Sequence, residues 1–212
     1  MAWEDSDIKR SLQRYLGETL EEPWAIRTQR RQVADEDRPV AVIQTGQATV
    51  LRARESVPQG EVESLVPITI TAYPPLPVAP EEEDPEEPFD AIRLADLAAE
   101  QLKTHLRRLI TIGLVVRDKD GRDWAGPFRI PLWDYADVPL TGPDRGGPED
   151  PHDVLFVQRE SLQVRSIQDP EDDLKWSVVC EFRVTVEEPG RIPDPDEGYV
   201  ADGVVGRFKP IS

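Results

Sequence analysis

The sequence predicts an α+β fold in which an antiparallel β-sheet packs against one long and one short helix. The clearest signal is a strand near the C-terminus, where apolar residues occupy every second position from Leu174 to Val186 without a break. A second signal begins at Phe89, where apolar residues recur at the three- and four-residue steps of a helix. A helix of this kind is the natural cover for the apolar face of such a strand.

The N-terminal segment predicts the short helix. Ile8, Leu12, Tyr15, Leu16 and Leu20 recur mostly at three- and four-residue steps, which places them on one helical face. The stretch "EEPWAIRTQRRQ" follows as a connector.

Three strands are expected next. "PVAVIQTG" and "QATVLRAR" are β-branched segments on either side of Thr45 and Gly46, a pair that is typical of a hairpin turn. "VESLVPITITAY" alternates apolar and polar residues, which again indicates a strand. Because Pro67 has no amide hydrogen to donate, we expect it at a sheet edge, at the start of the strand or in a bulge.

The long helix is predicted from Phe89 onwards. Its apolar stripe consists of Ile92, Ala95, Ala99, Leu102, Leu106, Leu109 and Ile110. Acidic residues near its start and basic residues near its end complement the helix dipole. A broad apolar stripe of this kind predicts that the helix packs against the sheet.

The C-terminal region predicts a long β-hairpin. Residues 157–167 form the first strand, "QDPEDD" forms the turn, and the alternating segment forms the second strand. We therefore expect one domain over residues 1–187, with an acidic, proline-rich loop at 74–88 and a Gly/Pro-rich loop at 139–153. Residues 188–212 are expected to be an extended tail.

Composition narrows the classes of function. The chain has 212 residues and a formal net charge of −17, which disfavours specific binding to nucleic-acid phosphates. Cys180 is the only cysteine, so no intramolecular disulfide is possible and folding inside a cell fits best. The N-terminus lacks the pattern of a signal peptide, and no apolar run reaches the ~18 residues of a membrane span. We expect a protein that is neither exported by that route nor embedded in a membrane.

The sequence contains few residue patterns that are typical of enzymes. His105 and His152 have no companion ligands at metal-binding spacing, and carboxylate pairs are too common to select an acid and base couple. The sequence has no phosphate loop, nucleophile elbow or zinc-protease motif. We therefore expect no catalytic residue, no metal, no cofactor and no enzymatic activity, with Cys180 acting as a small buried hydrophobe.

Candidate interface residues are aromatic or basic. Trp133 and Tyr135 in "RIPLWDY" either form an adhesive aromatic patch or cap the core. The residues predicted to contact another subunit or a partner are Trp133, Tyr135, Arg159, Arg183, Tyr199 and Phe208.

The order of elements resembles that of the tail terminator proteins of long-tailed, siphovirus-type bacteriophages. The resemblance rests on "DAIRLADLAAEQLKTHLRRLI" and "DVLFVQRESLQVRSIQDPEDDLKWSVVCEFRVTVEEP", the middle and C-terminal parts of the chain. It implies a small α+β virion subunit, assembled in the host cytoplasm, that forms a hexameric ring at the neck. The ring would end tail-tube polymerisation and join the tail-tube protein to the head–tail connector, while DNA passes through without specific binding.

Three other readings remain open. A head–tail connector or a tail-tube subunit would also be a small ring-forming α+β protein. An acidic inhibitor that mimics DNA would bind a basic protein in a salt-sensitive way and form no ring. An enzyme would require a pocket carboxylate with a raised pKa.

Overall fold

The structure, a computed structural model, describes residues 5–20, 23–28, 33–54, 61–79, 89–114, 116, 121, 123–135, 150–151 and 153–189. Within these ranges, two helices lie on one face of an eight-stranded sheet, which confirms the predicted α+β class. The helices and strands are α1 (Asp5–Gly17), β1 (Ala25–Arg27), β2 (Val40–Thr45), β3 (Thr49–Arg54), β4 (Glu61–Tyr73), α2 (Ala91–Thr111), β5 (Arg129–Leu132), β6 (Asp153–Val157), β7 (Gln163–Asp169) and β8 (Asp172–Pro189).

The two longest strands form the spine of the sheet. β4 and β8 pair antiparallel along twelve residue positions, from Glu61 opposite Pro189 to Ala72 opposite Val178. The main strand order is β1-β2-β4-β8-β6-β5, while β3 also pairs with β4 and β7 also pairs with β8. Each spine strand therefore carries two shorter strands, one after the other, along its outer edge.

The sheet is mixed rather than wholly antiparallel. β1 lies within the segment predicted as a connector, and it pairs parallel to β2 with Ala25 opposite Val40. A strand of three residues is too short for an alternating pattern to be recognised in the sequence.

The predicted hairpin at Thr45 and Gly46 is wrong. β2 and β3 both pair with β4, with Thr45 opposite Ile68 and Thr49 opposite Leu65, so they follow one another along the same edge. Pro67 lies between these two positions, in the middle of a central strand rather than at an edge or a strand start. The Gly46 amide donates to the Pro67 carbonyl oxygen at 2.8 Å.

The first strand of the predicted C-terminal hairpin is broken in two. β6 ends at Val157, a single 3₁₀ turn occupies Arg159–Ser161, and β7 begins at Gln163. Hydrogen bonds hold the turn against β8, because the Gln158 amide donates to the Arg183 carbonyl oxygen at 2.9 Å. The hairpin of β7 and β8 itself is present, with Val164 opposite Cys180. β8 runs to Pro189, two residues beyond the predicted end of the domain.

The long helix forms where the sequence predicts it. The Asp90 carboxylate caps its start by accepting a hydrogen bond from the Arg93 amide at 3.0 Å. The buried residues are Ala95, Ala99, Leu102, Leu106, Leu109 and Ile110. Ile92, predicted to belong to the same stripe, is 54% exposed.

A buried tyrosine joins the two helices. The Tyr15 side chain of α1 is fully buried, and its hydroxyl donates to the Leu109 carbonyl oxygen at 3.3 Å. The same hydroxyl accepts a hydrogen bond from the Leu114 amide at 3.0 Å. Burial raises the pKa of Tyr15, partly opposed by the Leu114 hydrogen bond and assisted by the negative charge of Glu18. This contact fixes the C-terminal end of α2 against α1.

Candidate interaction surfaces

The face of the sheet opposite the helices forms the first candidate surface. Alternation along β8 buries Val178, Cys180 and Phe182 and directs Glu181 and Arg183 to the opposite face. This part of the sheet is polar, and we expect little binding energy from its charges alone because exposed ion pairs are weak.

Two large apolar side chains interrupt that polar face. Phe156 of β6 is 45% exposed and lies opposite Thr185, and Ile167 of β7 is 44% exposed and lies opposite Ser177. The Arg129 guanidinium lies over the Phe156 ring, 5.7 Å from its centroid. We call Phe156, Ile167 and Arg183 the sheet surface; the β8 partners of Phe156 and Ile167 are eight residues apart, so the two apolar side chains are separate positions roughly 27 Å from each other.

The solvent side of α2 forms the second candidate surface. Leu94 and Leu97 on that side are 44% and 50% exposed, and Ile92, which lies on the face of the buried stripe, is 54% exposed at the start of the helix. A helix normally places polar residues at water-facing positions. We call these three residues the helix surface. Since α2 packs on the core face of the sheet, the helix surface and the sheet surface belong to opposite layers of the subunit.

The structure places Trp133 and Tyr135 inside the subunit. Trp133 is fully buried and Tyr135 is 8% exposed. The guanidinium groups of Arg14 and Arg10 lie over the two rings, 4.4 Å and 4.1 Å from the respective centroids. The Trp133 amide donates to the Ser11 hydroxyl at 2.9 Å. In this chain both rings close the core beneath α1, which is the second of the two roles expected for them.

The other predicted interface residues differ in position. Arg159 and Arg183 are both exposed, and the Arg159 guanidinium lies over the Phe128 ring at 5.0 Å from its centroid. Arg183 lies opposite Pro67 on the spine of the sheet. Tyr199 and Phe208 lie outside the described residues.

Two cavities beside α2 were not anticipated from the sequence. One has a volume of about 640 Å³ and is lined by Arg108, Ile112 and Leu114, among others. The other, of about 470 Å³, is lined by residues that include Trp24 and Pro74. Helical periodicity gave the buried stripe of α2, but residues that are far apart in sequence form the opposite wall.

A third cavity, also of about 470 Å³, lies beside α1. Its lining includes Arg10 and Arg14 together with Trp24, Ile26 and Tyr135. The four-residue spacing of the two arginines on one helix was visible in the sequence. Their contacts with Tyr135 and Trp133 could not be predicted, because these rings are far away along the chain.

The described residues offer little reactive chemistry. Burial, together with the nearby Glu181 carboxylate, raises the pKa of the Cys180 thiol to about 12, so the thiolate is scarce at neutral pH. Among the residues that the structure describes, no three His, Cys, Asp or Glu side chains are grouped as metal ligands would be. The described helices include none that is both long and apolar enough to span a membrane.

Comparison of the sequence with protein-family models and with curated proteins gives no match.

Proposed function

We propose that the chain is a structural subunit of a bacteriophage tail, a tail terminator that forms a closed ring on the end of the tail tube. The ring stops addition of further tube subunits and presents a surface to the head–tail connector. The α+β fold of the subunit is the one that the resemblance implies.

The observation that carries the proposal is the pair of exposed apolar surfaces on opposite layers. A ring of identical subunits needs heterologous contacts, in which one patch of each copy meets a different patch of the next. The helix surface and one of the two apolar positions of the sheet surface, Ile167, supply two such patches. Exposed aromatic and aliphatic side chains of this size supply most of the energy at a protein interface once they are covered.

The charge of the chain is compatible with a ring around DNA. A net charge of −17 per subunit leaves phosphates without net attraction, so DNA passes through the lumen without being retained. The same charge keeps free subunits apart in solution, which favours assembly on the tube over assembly in its absence.

The first experiment is a mass measurement. Light scattering is measured on the purified chain alone and after addition of polymerising tail-tube subunits. With the tube subunits present, we expect rings of a single mass bound to tube ends. Tubes built from the chain itself would instead favour a tail-tube subunit. A monomer that ignores the tube and binds a basic protein in a salt-sensitive manner would favour the acidic inhibitor.

A surface variant makes the test specific. Ile167→Asp places a charge in the sheet surface, and we expect it to abolish ring formation while leaving the circular dichroism spectrum unchanged. Gln163→Asp is the matched control, because Gln163 is an exposed residue of the same strand that faces the same side of the sheet. Equal loss of assembly in both variants would contradict an apolar contact at Ile167.

A further inference from the structure

Three exposed arginines lie around Phe156 in the sheet. Arg129 of β5 lies opposite Phe156, and its guanidinium lies 5.7 Å from the centroid of the ring. Phe156 in turn lies opposite Thr185 of β8, and Arg183 precedes Thr185 by two residues, so it projects from the same face of the sheet. A diagonal pair of this kind is separated by about 7–8 Å. Arg129 and Arg183 therefore flank the ring, one on each neighbouring strand.

The backbone holds the third arginine, Arg159, close to Arg183. The 3₁₀ turn that carries Arg159 is bonded to β8 at both of its ends. The Gln158 amide donates to the Arg183 carbonyl oxygen at 2.9 Å, and the Arg183 amide donates to the Ser161 hydroxyl at 2.8 Å. The Arg159 guanidinium lies 5.0 Å from the centroid of the Phe128 ring. We call these residues the arginine patch: Arg129, Phe156, Arg159 and Arg183.

The charges of the arginine patch are not neutralised within the described part of the chain. The sequence has 42 acidic and 25 basic residues, so an exposed arginine has many carboxylates available to it. None of the three guanidinium groups nevertheless forms an ion pair with a carboxylate of the residues that the structure describes, including the exposed Glu160 beside Arg159. Glu181, which precedes Arg183 by two residues, is bonded to Arg165 at 3.2 Å instead. The arginine patch is thus a positive, partly apolar surface on an acidic protein.

The opposite end of β8 is acidic. Asp169 lies opposite Asp172 across the turn between β7 and β8, and Asp169, Glu171 and Asp173 are exposed. The Asp169 carboxylate accepts a hydrogen bond from the Glu171 amide at 2.9 Å, which holds the turn in shape. Lys175, which pairs with Asp172 at 3.3 Å, offsets one of the four negative charges. We call residues 169–173 the hairpin tip. Because its turn is already ordered, the hairpin tip loses little conformational entropy on binding.

One copy cannot join its own hairpin tip to its own arginine patch. Thr185, opposite Phe156, lies thirteen positions after Asp172 in β8, which is about 43 Å along a strand. Pairing with β7 and then with β4 keeps β8 extended between these positions. The two surfaces can therefore meet only between copies, where one surface contacts a different surface of its neighbour. A ring of identical subunits is built from heterologous contacts of this kind.

We propose that the hairpin tip of one copy binds the arginine patch of the next copy. Carboxylates and guanidinium groups form charge-assisted hydrogen bonds. An isolated exposed ion pair is weak, but several charges around an aromatic ring that becomes covered on contact act together. DNA fits the arginine patch less well, because a DNA-binding protein commonly neutralises about 6–10 phosphates, and here three cations belong to a chain of net charge −17. The inference rests on the proposed function, for which it names a further contact between neighbouring subunits.

Zero-length crosslinking of the full-length chain tests the contact. Arg183→Lys keeps the positive charge and supplies an amine, which a carbodiimide joins to a carboxylate only where the two groups are in contact. Equal amounts of isotope-labelled and unlabelled protein are mixed, with and without polymerising tail-tube subunits. Mass spectrometry then distinguishes crosslinks between copies from crosslinks within one copy. Arg165→Lys is the matched control, because Arg165 is exposed on the same face of the sheet but pairs with Glu181 of its own chain.

We expect crosslinks between copies from position 183 to residues 169–173, with a yield at least about tenfold higher than from position 165. Introducing Glu171→Gln and Asp173→Asn together should remove most of this yield, as should roughly 1 M salt, which screens charges within about 3 Å. Equal yields from positions 183 and 165, no crosslink between copies, or crosslinks from position 183 only to other carboxylates would overturn the inference. Binding of duplex DNA that Arg183→Glu abolishes would also overturn it, because the arginine patch would then be a phosphate site.

The outcome separates this inference from the proposed function. Rings that form on tail tubes without the crosslink leave the tail terminator standing and remove the contact between the hairpin tip and the arginine patch. A crosslink confined to closed dimers, in which two copies exchange hairpin tips in the presence of tail-tube subunits, supports the contact and removes the tail terminator.

Discussion

The hydroxyl of Tyr15 bridges α1 and the end of α2, and its removal tests the packing of the two helices. In Tyr15→Phe the ring is retained, while the Leu109 carbonyl and the Leu114 amide lose a partner. Leaving a buried donor or acceptor unsatisfied costs about 1–3 kcal/mol. Since the Leu114 amide is only partly buried and regains some hydration, we expect a loss of about 2 kcal/mol in the free energy of unfolding.

The assay is urea denaturation followed by tryptophan fluorescence, with a thermal melt as a second measurement. For a chain of this length a loss of about 2 kcal/mol lowers the melting temperature by roughly 4–8 °C. Tyr73→Phe is the matched control, because Tyr73 is partly exposed at the end of β4 and its ring keeps the contact with Arg38. We expect the control to change stability by less than about 0.5 kcal/mol. Equal effects of the two substitutions would refute the bridging role of Tyr15.

Three further predictions concern backbone space, thiol reactivity and acid stability. Gly113→Ala should lower the free energy of unfolding, measured by urea denaturation, by at least about 2 kcal/mol. The backbone φ of Gly113 is +80°, and a Cβ atom there would lie 2.4 Å from the Gly126 carbonyl oxygen. An unchanged denaturation midpoint would contradict this packing. At pH 8 Cys180 should react with a thiol reagent at least a hundredfold more slowly in the folded protein than in urea. Burial, together with the nearby Glu181 charge, raises the pKa of the Cys180 thiol to about 12. Equal rates would mean that the thiol is accessible in the folded protein. A hydrogen bond from the Leu174 amide, helped by the Lys175 ammonium, lowers the pKa of Asp172. The ionised carboxylate therefore stabilises the fold above about pH 4, and that contribution is lost as the pH falls through the pKa of the folded state. Asp172→Asn should therefore reduce the acid-induced loss of stability in melts between about pH 5 and pH 2, and an identical pH profile would contradict it.

The sequence was sufficient to predict the elements whose periodicity is long. α2 and β8 are each more than fifteen residues in length, so the apolar pattern repeats often enough to give both the type of element and its buried face. Ile92 was assigned wrongly because periodicity identifies a face of the helix but not how much of that face is buried along its length.

Strand partners could not be predicted in the same way. A sequence that places β2 directly before β3 favours a hairpin, yet the length of β4 allows both to pair with it in succession. The division of β6 from β7 has the same origin, because both pair with β8. Partner choice depends on the length of distant strands, which local patterns do not contain.

The candidate surfaces were predicted only in part. The aromatic character of Trp133 and Tyr135 was evident, but whether an aromatic residue is exposed depends on what covers it, and here Arg14 and Arg10 do. Phe156 and Ile167 were not singled out, since single apolar residues in short strands are indistinguishable from core residues before the sheet is known. The cavity between α2 and Trp24 could not be predicted, because Trp24 lies more than seventy residues before the helix residues that line the same cavity.

The position of Pro67 affects how β2 and β3 align along β4. In a strand the nitrogen and the carbonyl of one residue point to the same side, and the Pro67 carbonyl is bonded by Gly46. The missing donor therefore faces the gap between β2 and β3, and the pairing of β4 with β8 remains uninterrupted. A two-residue slip of β2 along β4 would bring the proline nitrogen opposite a carbonyl to which it cannot donate. Pro67 thus penalises any slip that carries β2 or β3 onto it, so a residue that usually interrupts a sheet here limits how close the two short strands can come.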